Sequence, residues 1–186
     1  GSYKDGNVDL EALKLCIAQG VRCLDFEIYS INSVPVVAAG SKNDNNNNDN
    51  ERYNSIPISS VLNIITQQAF SSSKCSNFND PLILHFRIMN NNAKMYENFA
   101  KIISESQELN SHLLEKKYNH EFGGNNLTTI PIKLFKKKII IIIYGENTFY
   151  QSTPLDEFIN IASGQAFMHL LRFNEIKYNQ NNELIE

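Results

Sequence analysis

Apolar positions along the chain follow two spacings, which together predict alternating helices and strands. Apolar residues from Leu10 to Ile17 recur at helical spacing, and Gly20 is suited to end that helix. Ser59 or Ser60 is suited to cap a second helix. By the same criterion, helices are predicted over residues 9–19, 59–70, 93–105, 109–118 and 154–162.

Shorter apolar runs between these helices predict strands. The runs are Cys23 to Tyr29, Val34 to Ala38, Pro81 to Met89 and Ile139 to Tyr144. The second run either extends the first or lies beside it, and the third is typical of a parallel sheet that is covered on both faces. Strands that alternate with helices predict an α/β fold with parallel strands and helical crossovers.

Composition limits the classes of protein to which the chain can belong. With 186 residues, the chain is long enough for one core, and we expect residues 1–186 to form a single domain that belongs to a longer chain. The Asn-rich stretch 42–53 predicts a flexible surface loop. A net charge of −3 with scattered basic residues argues against nucleic-acid binding.

Cysteine usage predicts the cellular compartment of the protein, and its composition indicates the kind of genome that encodes it. Cys16, Cys23 and Cys75 are too scattered for a disulfide framework or a zinc site, and we interpret the first two as small core residues. This usage favours a reducing, intracellular compartment. The abundance of Asn, Ile, Lys and Tyr is typical of A/T-rich genomes such as those of protists or large DNA viruses.

Candidate chemistry lies on the predicted strands. Asp25 and Glu27 are two residues apart on one strand, so their carboxylates share a face and can converge on a cation or a reacting group. The next apolar segment ends at Gly40, but the residue before this glycine is Ala39, which does not titrate.

The order of these segments resembles the X region of phosphatidylinositol-specific phospholipase C. The resemblance covers roughly residues 8–144 and rests on Gly20 to Glu27, Pro35 to Gly40, Pro81 to Ile88 and Lys136 to Tyr144. It implies a TIM-type (β/α) barrel, or the N-terminal half of one, with the functional site at the C-terminal ends of the strands.

The resemblance assigns altered residues to the family's catalytic positions. The family uses two histidines as general base and acid, together with a calcium ion. Asp25 and Glu27 fall at two calcium-ligand positions, so the resemblance implies that they are vestigial calcium ligands. The third carboxylate falls on Arg87 and the second histidine on Ala39.

Two further sets of family residues are also affected. The lysines that contact the inositol phosphates fall on Ile142 and Tyr144. The first histidine and its neighbouring asparagine would lie before residue 1. The resemblance therefore implies a pseudoenzyme without a cofactor, which acts as a structural or binding module, and a virion component is one such role.

Two other interpretations stay open. In the first, the protein is an active phosphoric diester hydrolase that cleaves phosphatidylinositol lipids. Arg87 then takes the place of calcium, and His85 is a candidate base. In the second, the protein binds such lipids without turnover. Ile142 and Tyr144 weaken the second. The expected partners are a protein or the remaining barrel half, or else a phosphoinositide or membrane surface.

Residue spacing on the third strand leads to a hypothesis about Arg87. Ile83, His85 and Arg87 share one face, and Arg87 is level with the two carboxylates of the first strand. We therefore predict that the guanidinium pairs with Asp25, Glu27 or both, in place of a metal ion. His85 itself is more typical of a hydrogen-bonded interior histidine.

Two other features have ordinary explanations as well as functional ones. The triplet Lys136 to Lys138 is typical of a solvated approach to a strand, although contact with phosphate or lipid is an alternative. His112, His120 and His169 lack the spacing of metal ligands.

Overall fold

The computed structural model describes residues 7–39, 54–119, 127–145 and 147–163, and the short strand pairs 177–178 and 184–185. The helices in these ranges are α1 (Leu10–Ala18), α2 (Ile58–Ala69), α3 (Ala93–Glu105) and α4 (Gln107–His112). The strands are β1 (Cys23–Ile31), β2 (Val34–Ala38), β3 (Ser55–Pro57), β4 (Leu82–Ile88), β5 (Ile139–Ile143), β6 (Ile161–Ala162), β7 (Lys177–Tyr178) and β8 (Leu184–Ile185).

Six of these strands form one mixed sheet in the order β3-β2-β1-β4-β5-β6. Strands β1, β4, β5 and β6 are parallel to one another, whereas β2 is antiparallel to β1 and β3 is antiparallel to β2. The second apolar run is therefore a neighbour of the first, and the expectation of parallel pairing is wrong there. Asn32 and Ser33 both have positive φ (50° and 63°), as tight hairpin turns require.

Helices begin where the chain supplies a partner for their first N–H groups. Asp9 accepts a hydrogen bond from the backbone of Glu11 at the start of α1, and Asn92 accepts one from the backbone of Met95 at the start of α3. Gly20 has a φ of +88° just after α1, as predicted for a helix end. No described side chain caps α2.

The predicted cap of α2 at Ser59 or Ser60 is wrong because the helix begins earlier, at Ile58. Strand β3 ends at Pro57, and its pairing with β2 directs the chain straight into the helix. Helix α2 thus begins without a side-chain cap.

Two predicted helices are shorter than expected. Residues 109–118 contain α4 and a separate 3-10 turn, Lys116–Tyr118, and residues 154–162 contain a 3-10 turn, Pro154–Phe158, followed by β6. The helix predicted over residues 154–162 stops early because the backbone N–H of Asn160 donates to the carbonyl oxygen of Ile141 and that of Ser163 donates to Ile143. Pairing with β5 replaces helical hydrogen bonds there.

The core lies between one face of the sheet and the helices. Leu24, Phe26 and Ile28 of β1 are buried in it with Leu84 and Phe86 of β4. Burial along β4 alternates between buried and half-buried residues, so the expected cover on both faces is only partial for this strand. Its other face carries His85 and Arg87, together with Ile83, which packs against further apolar residues. A second apolar cluster, which includes Leu127, Phe135, Ile140 and Ile142, lies on that face near the start of β5.

The cysteine prediction is wrong for two residues. Cys16 and Cys23 are exposed, whereas Cys75 is buried. In α1 the buried residue is Ile17, one position after Cys16, and in β1 it is Leu24, one position after Cys23. Cys23 consequently lies on the face of β1 opposite the core, whereas Cys16 lies about 100° around the helix from Ile17, at the margin of the apolar face of α1.

Several predictions concern residues that lie outside the described ranges. The Asn-rich stretch 42–53, His120 and His169 lie outside the described residues. The polar C-terminal stretch contains the short antiparallel pair β7–β8. No described helix is both long enough and apolar enough to cross a membrane.

Candidate functional site

Four polar side chains meet on one face of the sheet, around the middle of β1 and in the second half of β4. The parallel register places Asp25 beside His85 and Glu27 beside Arg87. Since residues two apart on a strand share a face, all four side chains lie on the side opposite the helix-covered core. We call these residues the Arg87 cluster.

Arg87 forms ion pairs with both carboxylates. Its Nη2 lies 2.6 Å from Asp25 Oδ2, and its Nη1 lies 2.8 Å from Glu27 Oε1. Its Nε–H group is shared between the two oxygens of Asp25, each at 3.1 Å. The predicted pairing of the guanidinium with these carboxylates is confirmed, and it involves both of them.

His85 completes the cluster on the side away from Glu27. Its Nδ1 lies 2.7 Å from Asp25 Oδ1, and its side chain is only 12% exposed. The Nε2 atom is buried without a hydrogen-bond partner among the described residues. The ring of Tyr144 lies edge-on to the imidazole, with 6.5 Å between ring centroids. His85 is therefore an interior histidine, as its position predicts, but its partner belongs to the cluster.

Tyr29 is a contact of the site that sequence reasoning missed. Its hydroxyl donates to Glu27 Oε2 at 3.2 Å. The signal was available, because Tyr29 follows Glu27 by two residues and so lies on the same face of β1.

The electrostatics of the cluster favour its charged form. Burial alone would raise the pKa of Asp25, but hydrogen bonds from His85 and Arg87 and the guanidinium charge outweigh it, so the pKa is lowered from its ordinary value of 3.8. The hydrogen bond to Asp25 raises the pKa of Arg87 against the opposing effect of burial. Both groups therefore stay ionised at neutral pH.

This lowered pKa predicts how stability depends on pH. A carboxyl whose pKa is depressed by folding contributes stability above its unfolded pKa, near 3.8, and loses it as the pH falls through the folded value. We expect the stability difference between the natural protein and Asp25→Asn to shrink as the pH falls below about 4. Urea denaturation at each pH measures it, and a difference that stays constant down to about pH 2 would contradict the assignment.

The other positions assigned by the resemblance contribute no ionisable group of the expected kind. Ala39 follows directly after β2 and carries only a methyl group. Ile142 is buried on β5 beside His85, and the backbone of Tyr144 donates to Phe86. Among the described residues, no group of three or more His, Cys, Asp or Glu side chains is arranged to hold a metal ion.

His112 has a structural role away from this cluster. Its Nδ1 lies 2.8 Å from the carbonyl oxygen of Lys137, and its ring stacks on Phe70 at 4.2 Å between centroids. It joins α4 to the turn that precedes β5.

Comparisons by sequence give no match, either to a family model or to a curated protein. Comparison of the structure gives several. A crystal structure of L. pealei PLC21 matches 94% of this chain and 23% of its own, at 14% identity and a TM-score of 0.53. The chain thus spans less than a quarter of that protein.

Two structures of a calcium-dependent phosphoinositol-specific phospholipase C from a Gram-negative bacterium, Pseudomonas sp, match in the same way. The apo form described with a myoinositol complex covers 90% of this chain and 67% of its own, at 10% identity and a TM-score of 0.53. The second apo crystal form covers 88% and 63%, at 9% identity and a TM-score of 0.54. Identities this low establish the fold alone. The chain has a mixed α/β fold, with helical crossovers between parallel strands, like that of the TIM-barrel phospholipases C.

Proposed function

We propose that this chain is a catalytically silent phospholipase C-like domain that serves as a structural or binding module. The observation that carries the proposal is the position of the Arg87 guanidinium, which donates hydrogen bonds to both Asp25 and Glu27. These are the carboxylates that the resemblance associates with calcium. A permanent cation of the protein now pairs with both of them.

The residues of the Arg87 cluster do not fit a calcium ion. Calcium normally takes six to eight oxygen ligands, whereas the oxygens of Asp25 and Glu27 here accept hydrogen bonds from a guanidinium. A divalent ion would have to displace Arg87 or sit beside it. At about 4 Å and an effective dielectric constant near 20, each pair of like unit charges costs on the order of 4 kcal/mol.

The position of the second histidine supports the same conclusion. Ala39 has no proton to donate or accept, and loss of a general acid or base typically lowers the rate by about 10²- to 10⁴-fold. Ile142 and Tyr144 stand where the family's phosphate-contacting lysines belong, so the attraction for an anionic headgroup is also weakened.

A second candidate function is an active phosphoric diester hydrolase, and the geometry of His85 is the observation that favours it. Asp25 orients the imidazole through Nδ1, which leaves Nε2 without a partner among the described residues, and Arg87 supplies a cation nearby. An imidazole held by a carboxylate is a common general base. The burial of Nε2 argues against this role, since a substrate would have to displace its cover.

A partner of a binding module could pair with the edge strands of this sheet. Strands β3 and β6 lie at the two edges of the described six-stranded sheet. We propose that a protein partner, or the remaining half of a barrel, pairs with one of these edges. A virion role remains a prediction from composition.

Hydrolysis of phosphatidylinositol tests this proposal against its alternative. We expect the natural protein to release no inositol phosphate above a buffer blank, with or without calcium, while an active phospholipase C serves as positive control. Turnover by the natural protein would overturn the proposal. If that turnover also fell at least a hundredfold in His85→Gln, it would establish the hydrolase and its base.

A further inference from the structure

A second surface lies at the other end of the sheet from the Arg87 cluster. It is the exposed turn that carries Ile132, Lys133, Leu134 and Lys136, just before β5, and we call it the basic turn. The side chains of Ile132 and Leu134 are 72% and 59% exposed, among the most exposed large apolar residues that the structure describes. Both lysines are exposed as well.

The basic turn is anchored by a buried side chain and by hydrogen bonds to neighbouring residues. Phe135, between the exposed residues, is 4% exposed and packs in the cluster with Ile140 and Ile142. Lys138 donates to the carbonyl oxygens of Ser111 and Leu113, each at 3.1 Å. Because these contacts at Phe135 and Lys138 fix the turn, the side chains of Ile132 and Leu134 are held in exposed positions.

The charge of this surface is positive, although the chain as a whole carries −3. Lys133 and Lys136 form no ion pair with any residue in the described ranges. The acidic residues Glu115 and Glu157 are already paired, with Lys117 and Lys116 respectively.

Two further lysines, Lys137 and Lys138, extend the positive charge, and the neighbouring loop contributes a single carboxylate, Asp80. The backbone N–H of Lys137 donates to Asn79, which brings that loop against the turn. Among the residues that the structure describes here, the four lysines therefore outnumber the carboxylates of Asp80 and of Glu115, whose charge also acts on Lys138.

Projecting aliphatic residues beside lysines that have no ion pair in the described part of the chain suit a lipid surface better than a protein. The buried centres of protein interfaces are depleted in lysine, because an ammonium group is costly to desolvate. At an anionic bilayer the aliphatic side chains enter the boundary between headgroups and acyl chains, while lysine stems lie along it and their ammonium groups stay in water beside the anionic headgroups. We propose that the basic turn docks this protein reversibly on anionic membranes.

Docking of this kind would orient the Arg87 cluster away from the bilayer. The backbone N–H of Leu82, at the start of β4, donates to Lys138, so the basic turn lies at the N-terminal ends of β4 and β5. Arg87 lies five residues beyond Leu82 along β4, so roughly 17 Å of strand separates it from this end. The proposal is independent of the proposed function, since it does not use the cluster.

Co-sedimentation with vesicles tests the docking surface. The full chain is mixed with vesicles of phosphatidylcholine alone, and with vesicles that contain about one-third phosphatidylserine. We expect binding to the anionic vesicles only. The double variants Ile132→Ser/Leu134→Ser and Lys133→Gln/Lys136→Gln should each lower the partition coefficient about tenfold. Added salt should weaken the binding of the natural protein.

Matched controls alter the same residue types elsewhere on the surface. Leu15→Ser changes a leucine that is 64% exposed on α1, and Lys94→Gln/Lys101→Gln removes two exposed lysines of α3. Both controls should bind like the natural protein. Failure of the natural protein to bind, or equal losses in the controls, would overturn the proposal. Unchanged vesicle binding with an altered oligomeric state in the basic-turn variants would assign this surface to a protein contact instead.

Discussion

Replacing Arg87 by alanine is expected to lower the free energy of unfolding by about 2–3 kcal/mol at neutral pH. The change leaves the carboxylates of Asp25 and Glu27 beside each other without their cation. Breaking a fully buried pair costs more, but these side chains are 44% and 23% exposed, so water compensates for part of the loss. The unfolding midpoint in urea should fall with an unchanged slope.

Two companion variants show whether the loss comes from the ion pairs. Arg87→Lys keeps the charge but cannot match the fork geometry, so we expect an intermediate loss. Lys94→Ala removes an exposed pair with Glu97 and should change stability by less than about 1 kcal/mol. If Arg87→Ala were as stable as the natural protein, the ion pairs would contribute nothing to the fold.

The pairing of Arg87 was predictable because parity places these polar residues on one face and the positions along the two strands place Arg87 level with the carboxylates. Asp25 and Glu27 alternate with buried residues on β1, and His85 and Arg87 do so on β4. Once two such strands are parallel neighbours, the polar faces must meet, whatever the detailed register. The identity of the partner for each carboxylate was not predictable, because it follows from that register and from side-chain geometry.

Strand direction and some element boundaries were less predictable. An apolar run such as Val34 to Ala38 carries no direction, and only the two-residue turn at Asn32 and Ser33 indicates a hairpin. The helix predicted over 154–162 failed because pairing with β5, a long-range contact, outweighed the local pattern. Cys16 was misassigned because a small residue at the margin of an apolar face fits either side of a helix.

Parts of the site were out of reach of sequence reasoning for a similar reason. The bond between His85 Nδ1 and Asp25 joins residues 60 positions apart, and neither residue alone indicates it. The resemblance to phospholipase C located the positions at which chemistry is expected, and the side chains there determine what the site can do. Asp25 and Glu27 alone would attract a cation. With Arg87 between them, the two carboxylates instead belong to an ion-pair network within the protein.

Calcium dependence is where the natural protein and Arg87→Glu should differ most. The substitution removes the internal cation and adds a third carboxylate to the pair, so without calcium we expect a loss of about 3–5 kcal/mol in the free energy of unfolding. Calcium should restore much of it, since a ligand at a hundredfold its dissociation constant adds about 2.7 kcal/mol. Arg87→Gln, which adds no carboxylate, should remain insensitive to calcium.

The thermal unfolding midpoint, recorded with calcium and with an equal concentration of magnesium, is therefore the most direct test of the claim that Arg87 takes the place of a metal ion. The account predicts that the natural protein unfolds at the same temperature in both, while the midpoint of Arg87→Glu is low in magnesium and rises in calcium. Specific stabilisation of the natural protein by calcium would contradict the account, because the guanidinium would then not exclude the ion.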